Sequence, residues 1–213
     1  MPPSVEQLER MRAELAARDP ALARVHAAVP PFAWRTRPGG FVGLAWMIVG
    51  QQVSTASAAA IWRRVEAGLD AVTPQAVADT SPETLRALGL STPKARYLRE
   101  IAQAQLSGRI DFDRLSELSD EAATARLTAI TGVGRWTAET YLMFCEGRVD
   151  VFPGADVALQ EAIRWADRAD RRPSEREACA RAETWRPLRS TAAHLLWAWY
   201  GGVRRGEIAA PMS

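Results

Sequence analysis

The sequence predicts an all-α protein of two helical lobes around a cleft. Three observations carry this. The chain has 213 residues and is 47% apolar, enough for a packed core and too much for wholesale disorder. Apolar residues recur at helical spacing almost throughout, and the best alternating run, Arg148 to Phe152, is short. Hydroxyl–proline pairs and glycines then cut the pattern into short helices with short joints. The length suits one domain or two small lobes.

Taken in order, the helices fall near 4–18, 40–50, 54–68, 74–79, 82–88 and 93–106, then 112–116, 120–130, 136–146, 156–167, 174–183 and 187–200. Thr73-Pro74, Ser81-Pro82 and Thr92-Pro93 each place a hydroxyl cap before a proline at the first helical position. Ser119 precedes Asp120 and Glu121, acids suited to a helix N-terminus. Ser174 and Glu177 have capping-box spacing. Gly50, Gly68, Gly89 and Gly108 read as helix ends. The lobe boundaries fall in Arg35 to Gly40 and in Gly147 to Gly154. This assigns 41–146 to a central lobe, and 1–40 with 147–213 to a second.

Composition removes several function classes. Formal charge is only +2, which does not announce a nucleic-acid binder. Lys94 is the sole lysine among 27 basic residues, so chemistry needing a side-chain amine has one candidate. Cys145 and Cys179 are too few for a disulfide framework or a four-cysteine cluster, and read as buried thiols. His26 and His194 lack metal-ligand spacing. No apolar run reaches the roughly 18 residues of a membrane span, and no signal peptide precedes the first helix. The reading is a soluble, cytoplasmic, nucleoid-associated monomer that does not engage a membrane.

The most informative stretch is Leu127 to Ala138. A helix ends at Ile130, Gly132-Val133-Gly134 follows, and a new helix begins. Two glycines spaced by one residue permit a tight turn with positive φ. N–H groups of that turn and of the next helix can face one anion, such as a DNA phosphate. An ordinary α–α corner has the same local signature.

The wider context resembles the helix-hairpin-helix (Gly/Pro/Asp) DNA glycosylase superfamily, in its 3-methyladenine DNA glycosylase II-like branch. The resemblance rests on Ile130-x-Gly-Val-Gly-x-x-Thr-Ala138 and on Val151-Phe-Pro-Gly-Ala-Asp156 after it. It extends to Ile48-Val-Gly-Gln-Gln-Val-Ser54, to Gly89-Leu-Ser-x-x-Lys-Ala-x-Tyr-Leu98, and to Trp185-Arg-Pro-Leu-Arg-Ser190 with Trp197 downstream. Together these motifs cover roughly residues 41 to 200. The implied fold is the helix-hairpin-helix DNA glycosylase fold. The implied partner is double-stranded DNA containing damaged bases.

The resemblance assigns roles residue by residue. Asp156 becomes the catalytic carboxylate, facing oxocarbenium-like charge at C1′ and activating water; a helix N-cap is its alternative role, and both are compatible. Gln52 matches the residue that fills the gap left by a rotated base; the alternative is that Gln51 and Gln52 satisfy backbone groups at a turn. Trp136, Trp197 and Tyr141 are expected in the base pocket. Stacking there contributes roughly 1–3 kcal/mol per base, and a cationic alkylated base gains about 0.5–2 kcal/mol more. Trp46, Trp62, Trp165 and Trp199 read as core. Thr131, Gly132, Val133, Gly134, Arg135, Thr137 and Arg189 are the expected phosphate contacts. Relatives hold a monovalent cation at the hairpin, which would place it on the carbonyls of Ile130 and Gly132; no other cofactor is required.

Bifunctional relatives carry a lysine in the second hairpin helix for Schiff-base chemistry. Here Gly134 is followed by Arg135-Trp136-Thr137, so the expected reaction is excision of alkylated purines without strand cleavage. Two alternatives stay open: a glycosylase for oxidised, deaminated or mismatched bases, and a non-catalytic DNA-binding module that uses only the hairpin.

Overall fold

The computed structural model describes residues 2–209, and among them it holds helices, turns and extended joints but no strand. Contacts divide the chain into two units. One runs from Arg37 to Glu146, and the other combines the residues up to Thr36 with those from Gly147 onward. The first join lies earlier than the expected 40/41, for a local reason. The Arg37 N–H donates to the Phe144 carbonyl at 2.8 Å, and its guanidinium lies 4.0 Å over the Trp46 ring. Residues 1 and 210–213, assigned by sequence to the second lobe, lie outside the described residues.

The unit from Arg37 to Glu146 contains α3 (Gly40–Gly50), α4 (Thr55–Leu69), α5 (Pro74–Asp79), α6 (Pro82–Ala87), α7 (Thr92–Leu106), α8 (Asp120–Thr128) and α9 (Arg135–Phe144). Helix α3 is its axis. Phe41, Gly43, Leu44, Ala45, Met47, Ile48 and Val49 are all buried, as a helix apolar on nearly every side must be. It packs against α4, α7 and α9, while α5 and α6 close over α7 and α8 pairs with α9. Two expectations need correction. The helix expected at 112–116 is a single 3-10 turn, Leu115–Glu117, after Asp111 Oδ1 has captured the Asp113 N–H at 3.0 Å. Gly68 does not end its helix; α4 continues to Leu69 and the chain reverses at Asp70, with φ +56°.

The other unit contains α1 (Val5–Arg18), α2 (Pro20–Ala28), α10 (Val157–Asp167), α11 (Glu175–Ala182) and α12 (Arg189–Arg204). Helix α12 is central and packs on α1, α2 and α10. It begins later and runs four residues further than expected. Arg148 to Phe152 is not a strand. Its backbone is satisfied by the first turn of α12: Val151 N–H donates to Ser190 Oγ at 2.9 Å, the Ser190 hydroxyl donates to Val151 O at 2.8 Å, and Ser190 N–H donates to Val149 O at 3.0 Å. Cys145 and Cys179 form no disulfide and are only partly buried. No helix among the described residues is long and apolar enough to cross a membrane.

Helix α2 is the element that sequence reading misses, although Asp19-Pro20 carries the same cap-plus-proline signal as the others. Asp19 does more than cap it. Its Oδ1 accepts from the N–H groups of Ala21 and Leu22 at 2.9 and 3.2 Å. Its Oδ2 accepts from Trp185 Nε1 at 2.7 Å and from the Arg181 guanidinium at 2.7 Å. Burial opposes this charge, but the bonds from Trp185, Arg181 and the Leu22 N–H outweigh it and hold the carboxyl below its ordinary range. Asp19→Ala should therefore cost about 2–4 kcal/mol in urea denaturation, since cap, indole and guanidinium lose their acceptor together; a loss of under about 0.5 kcal/mol would contradict this account.

Candidate functional site

The hairpin joins α8 to α9, and Gly132 is fixed there twice over. Its φ is +93°, in a region that disfavours a Cβ, and a Cβ there would overlap the ring of Tyr97 on α7. Gly134 is different. It is the N-cap of α9 with an ordinary φ of −76°, and a Cβ on it would meet nothing within 4 Å. The fold requires glycine at 132 and leaves the space before 134 open. Among the described residues the N–H groups of Thr131, Gly132 and Gly134 donate to no protein acceptor. The hairpin lines a cavity of about 600 Å³, bounded also by Gln51, Gln52, Ser91 and Lys94.

Several expected phosphate contacts are otherwise engaged. The Val133 N–H donates to Ile130 O at 3.0 Å and its side chain is buried. Thr137 is buried, and its Oγ1 accepts from Gln51 Nε2 at 3.2 Å. Arg189 is locked between Asp150, at 3.0 Å, and Glu183, at 2.9 Å, with its side chain only 12% exposed. The side chains of Val133, Thr137 and Arg189 are thus engaged within the protein. Thr131, Gly134 and Arg135 remain at the surface; Arg135 pairs with Glu139 at 2.8 Å while its side chain stays 65% exposed.

Tyr141 also needs reassignment. It is fully buried, its ring tilted against Phe112 at 5.8 Å. Its hydroxyl accepts from the Gly40 N–H at 2.8 Å, serving the start of α3, whose N-cap Gly39 has no side chain to do so. A base cannot stack on this ring. Trp136, by contrast, is 39% exposed on the first turn of α9.

Gln52 sits on the turn after α3, exposed, at φ +56°. A non-glycine residue in that region is uncommon and is held there only by its surroundings. Gln51 beside it, read from sequence only as satisfying backbone groups at the turn, ties the turn to the hairpin helix through Thr137. Nothing in the pair of identical amides distinguishes the anchored one from the exposed one.

In the other unit, Pro153 and Gly154 bring the chain to Asp156. Gly154 is buried, and a Cβ there would overlap the Cys179 thiol on α11. Gln160 Nε2 donates to the Gly154 carbonyl at 2.7 Å. Asp156 is the N-cap of α10, its Oδ1 accepting from the Leu159 N–H at 2.9 Å. The same oxygen accepts from Trp197 Nε1 at 3.1 Å. The carboxylate is thus oriented by one backbone donor and one indole donor, and the half-buried Trp197 is fixed in turn. Arg35 lies over the Trp197 ring at 5.9 Å, and His194 meets it edge-on at 5.9 Å. His194 itself stacks on Trp34 at 3.9 Å and bonds the Ser190 carbonyl at 2.8 Å. Burial pushes its pKa down to about 4.

Among the described residues no group of three His, Cys, Asp or Glu side chains could hold a metal ion. The Ile130 carbonyl accepts from the Val133 N–H, and the Gly132 carbonyl has only a 3.5 Å approach from Gln51 Nε2. A carbonyl oxygen has two lone pairs, so both fit a cation that asks for backbone oxygen.

A family model described as "HhH-GPD superfamily base excision DNA repair protein" matches residues 45–187. A protein from Schizosaccharomyces pombe named DNA-3-methyladenine glycosylase 1 is 34% identical over 154 residues, covering 70% of this chain and 68% of that protein. DNA-3-methyladenine glycosylase 2 of Escherichia coli is 32% identical over 191 residues, covering 84% of this chain and 64% of that one. The crystal structure of a DNA-3-methyladenine glycosidase from Bacillus halodurans superposes with a TM-score of 0.81 at 32% identity, covering 90% of this chain and 89% of the other.

The two hairpin glycines should respond differently to alanine. Gly132→Ala should cost roughly 2 kcal/mol or more of stability, from positive φ and ring overlap together. Gly134→Ala should leave stability within about 0.5 kcal/mol yet weaken DNA binding, because only a ligand fills that space. Denaturation and binding isotherms on both variants check this, and equal stability loss would contradict it. His194 gives a pH test. Its folded pKa lies below the unfolded value near 6.5, so the unfolded chain binds the extra proton and stability falls as pH drops from about 6.5 to 4. The loss should approach about 3 kcal/mol, and His194→Phe should flatten that limb in denaturation at pH 7, 5.5 and 4.5.

Proposed function

The chain belongs to the HhH-GPD superfamily of base excision DNA repair proteins, and from that membership and its local geometry we propose that it excises alkylated purines from duplex DNA without cutting the strand. The observation that carries the reading is the Asp156 carboxylate, held by the Leu159 N–H and the Trp197 indole. In the proposed reaction the bond between C1′ and the base nitrogen breaks, its electron pair leaving with the base. Positive charge develops on the sugar, and Asp156 faces it. A water molecule adds to C1′ and yields its proton to that carboxylate. An alkylated base that is already cationic leaves neutral, so no dedicated general acid is needed.

The remaining roles follow from exposure. Trp197, beside Asp156, presents indole surface to a flat and electron-poor ring, and the exposed Trp136 on the first turn of α9 is a second candidate for that role. Gln52 enters the duplex as the base rotates out. The hairpin N–H groups, with Thr131, Gly132, Gly134 and Arg135, hold a backbone phosphate. A monovalent cation on the carbonyls of Ile130 and Gly132 would supply positive charge beside that phosphate. Two facts support hydrolysis without a Schiff base: α9 contains no lysine, and the Lys94 ammonium is bonded to the Val49 carbonyl at 2.8 Å.

The decisive experiment measures base release from methylated duplex DNA, separating 3-methyladenine from 7-methylguanine. Wild type should release methylated purine, and Asp156→Asn should lose at least about a hundredfold in rate while still binding DNA. Borohydride added to the wild-type reaction should trap no protein–DNA adduct. Undiminished release by a folded Asp156→Asn would remove the carboxylate from the mechanism, and an adduct through Lys94 would overturn the hydrolytic assignment.

A further inference from the structure

We propose that Lys94 is a positioning residue for base rotation, its ammonium fastening the last turn of α3 so that Gln52 is presented at a fixed attitude. This rests on the reading of Gln52 as the inserted residue. Lys94 is the only lysine in the chain, and its side chain crosses from α7 to donate to the Val49 carbonyl at 2.8 Å. Val49 lies in the final turn of α3. Carbonyls there lack partners within the helix, and the negative end of the helix dipole favours a cation.

Three residues on, the chain reverses through Gln52 at φ +56°. Between the two, Gln51 is tied to Thr137 on α9. The turn is therefore held from both flanks, from α7 through Val49 and from α9 through Gln51. Gln52 itself makes no hydrogen bond among the described residues and is exposed. A side chain pressed between bases transmits their push to its own backbone. Backbone at positive φ relaxes unless neighbouring bonds over-determine it. Lys94 supplies one of those bonds and touches nothing that reacts.

The alternative for a lysine lining the hairpin cavity is direct contact with phosphate, and the test separates the two. The probes are a duplex with one 7-methylguanine paired with cytosine, and the same lesion in a one-nucleotide bulge, where little unstacking is needed. Under single-turnover conditions Lys94→Met should slow release from the paired lesion about tenfold and from the bulge by less than about twofold. Lys94→Arg, which keeps a donor, should recover most of the loss. Lys94→Met added to Gln52→Ala should slow the paired reaction no further, since the two act as one unit. The salt dependence of DNA binding should keep the wild-type slope. Equal losses on both substrates, additive effects with Gln52→Ala, or a salt slope smaller by about one would overturn the Lys94 assignment. Failure of Gln52→Ala to distinguish the paired lesion from the bulge would overturn the wedge reading beneath it. Absence of release by wild type from either probe would overturn the excision reading for this base.

Discussion

The start of every helix leaves N–H groups that its own backbone cannot satisfy, and how each set is satisfied separates scaffold from site in this chain. Ser4, Asp19, Ser54, Thr73, Ser81, Ser119, Asp156 and Ser174 cap their helices through their own side chains. Helix α12 lacks such a residue but borrows Asp150, whose Oδ1 accepts from the Arg189 N–H. Helix α3 borrows the Tyr141 hydroxyl. Helices α7 and α9 have no side-chain cap, and their N-cap residues, Ser91 and Gly134, line the same cavity. A folded chain tolerates open N–H groups where water or an anion reaches them. The positive ends of two helices meeting at one opening favour a phosphate over any neutral group.

Local signals made the fold legible. Hydroxyl–proline pairs and capping residues act within one turn, so Thr73-Pro74, Ser81-Pro82 and Ser119 mark true helix starts. Errors arose both where a long-range partner decided the outcome and where a neighbouring residue took the turn. Arg148 to Phe152 reads as the best strand by composition, yet Ser190, some forty positions away, takes its hydrogen bonds. Gly68 reads as a helix end, but an aspartate two residues on adopts the reversing φ. The omission of α2 had no such excuse: Asp19-Pro20 carries the full local signal, and what hid it was the lack of a gap between α1 and α2, which share Asp19 as C-cap and N-cap.

The site divides along the same line. Motif spacing points to Gly132, whose positive φ and close approach to Tyr97 require glycine, and to Asp156 and Trp197, which the structure brings within a hydrogen bond of each other. Motif spacing misleads at Tyr141, Thr137, Val133 and Arg189, whose neighbours in sequence say nothing of Gly40, Gln51, Ile130 or Asp150. The Asp156 alternatives were not exclusive: the oxygen that caps α10 also accepts the indole of Trp197, so capping fixes the carboxylate that the proposed chemistry requires. Gln51 and Gln52 show the limit most plainly. Two adjacent identical side chains part into an anchor and an exposed tip, a distinction that exists only once α9 is beside them.

Charge completes the argument. The chain is rich in arginine, but Arg12, Arg114, Arg164, Arg171, Arg181, Arg186, Arg189 and Arg205 each pair with a carboxylate of the same chain, and the formal net charge is only +2. Binding to nucleic acid through a broad cationic surface would carry a steep salt dependence, one unit of slope for each phosphate neutralised. Oriented N–H groups at a helix start add no net charge and place a phosphate to within a hydrogen bond, so the proposed hairpin contact does not depend on a broad cationic surface. Such an anchor is indifferent to sequence, and that suits a protein proposed to recognise an altered base, wherever it occurs, through an aromatic surface and one oriented carboxylate.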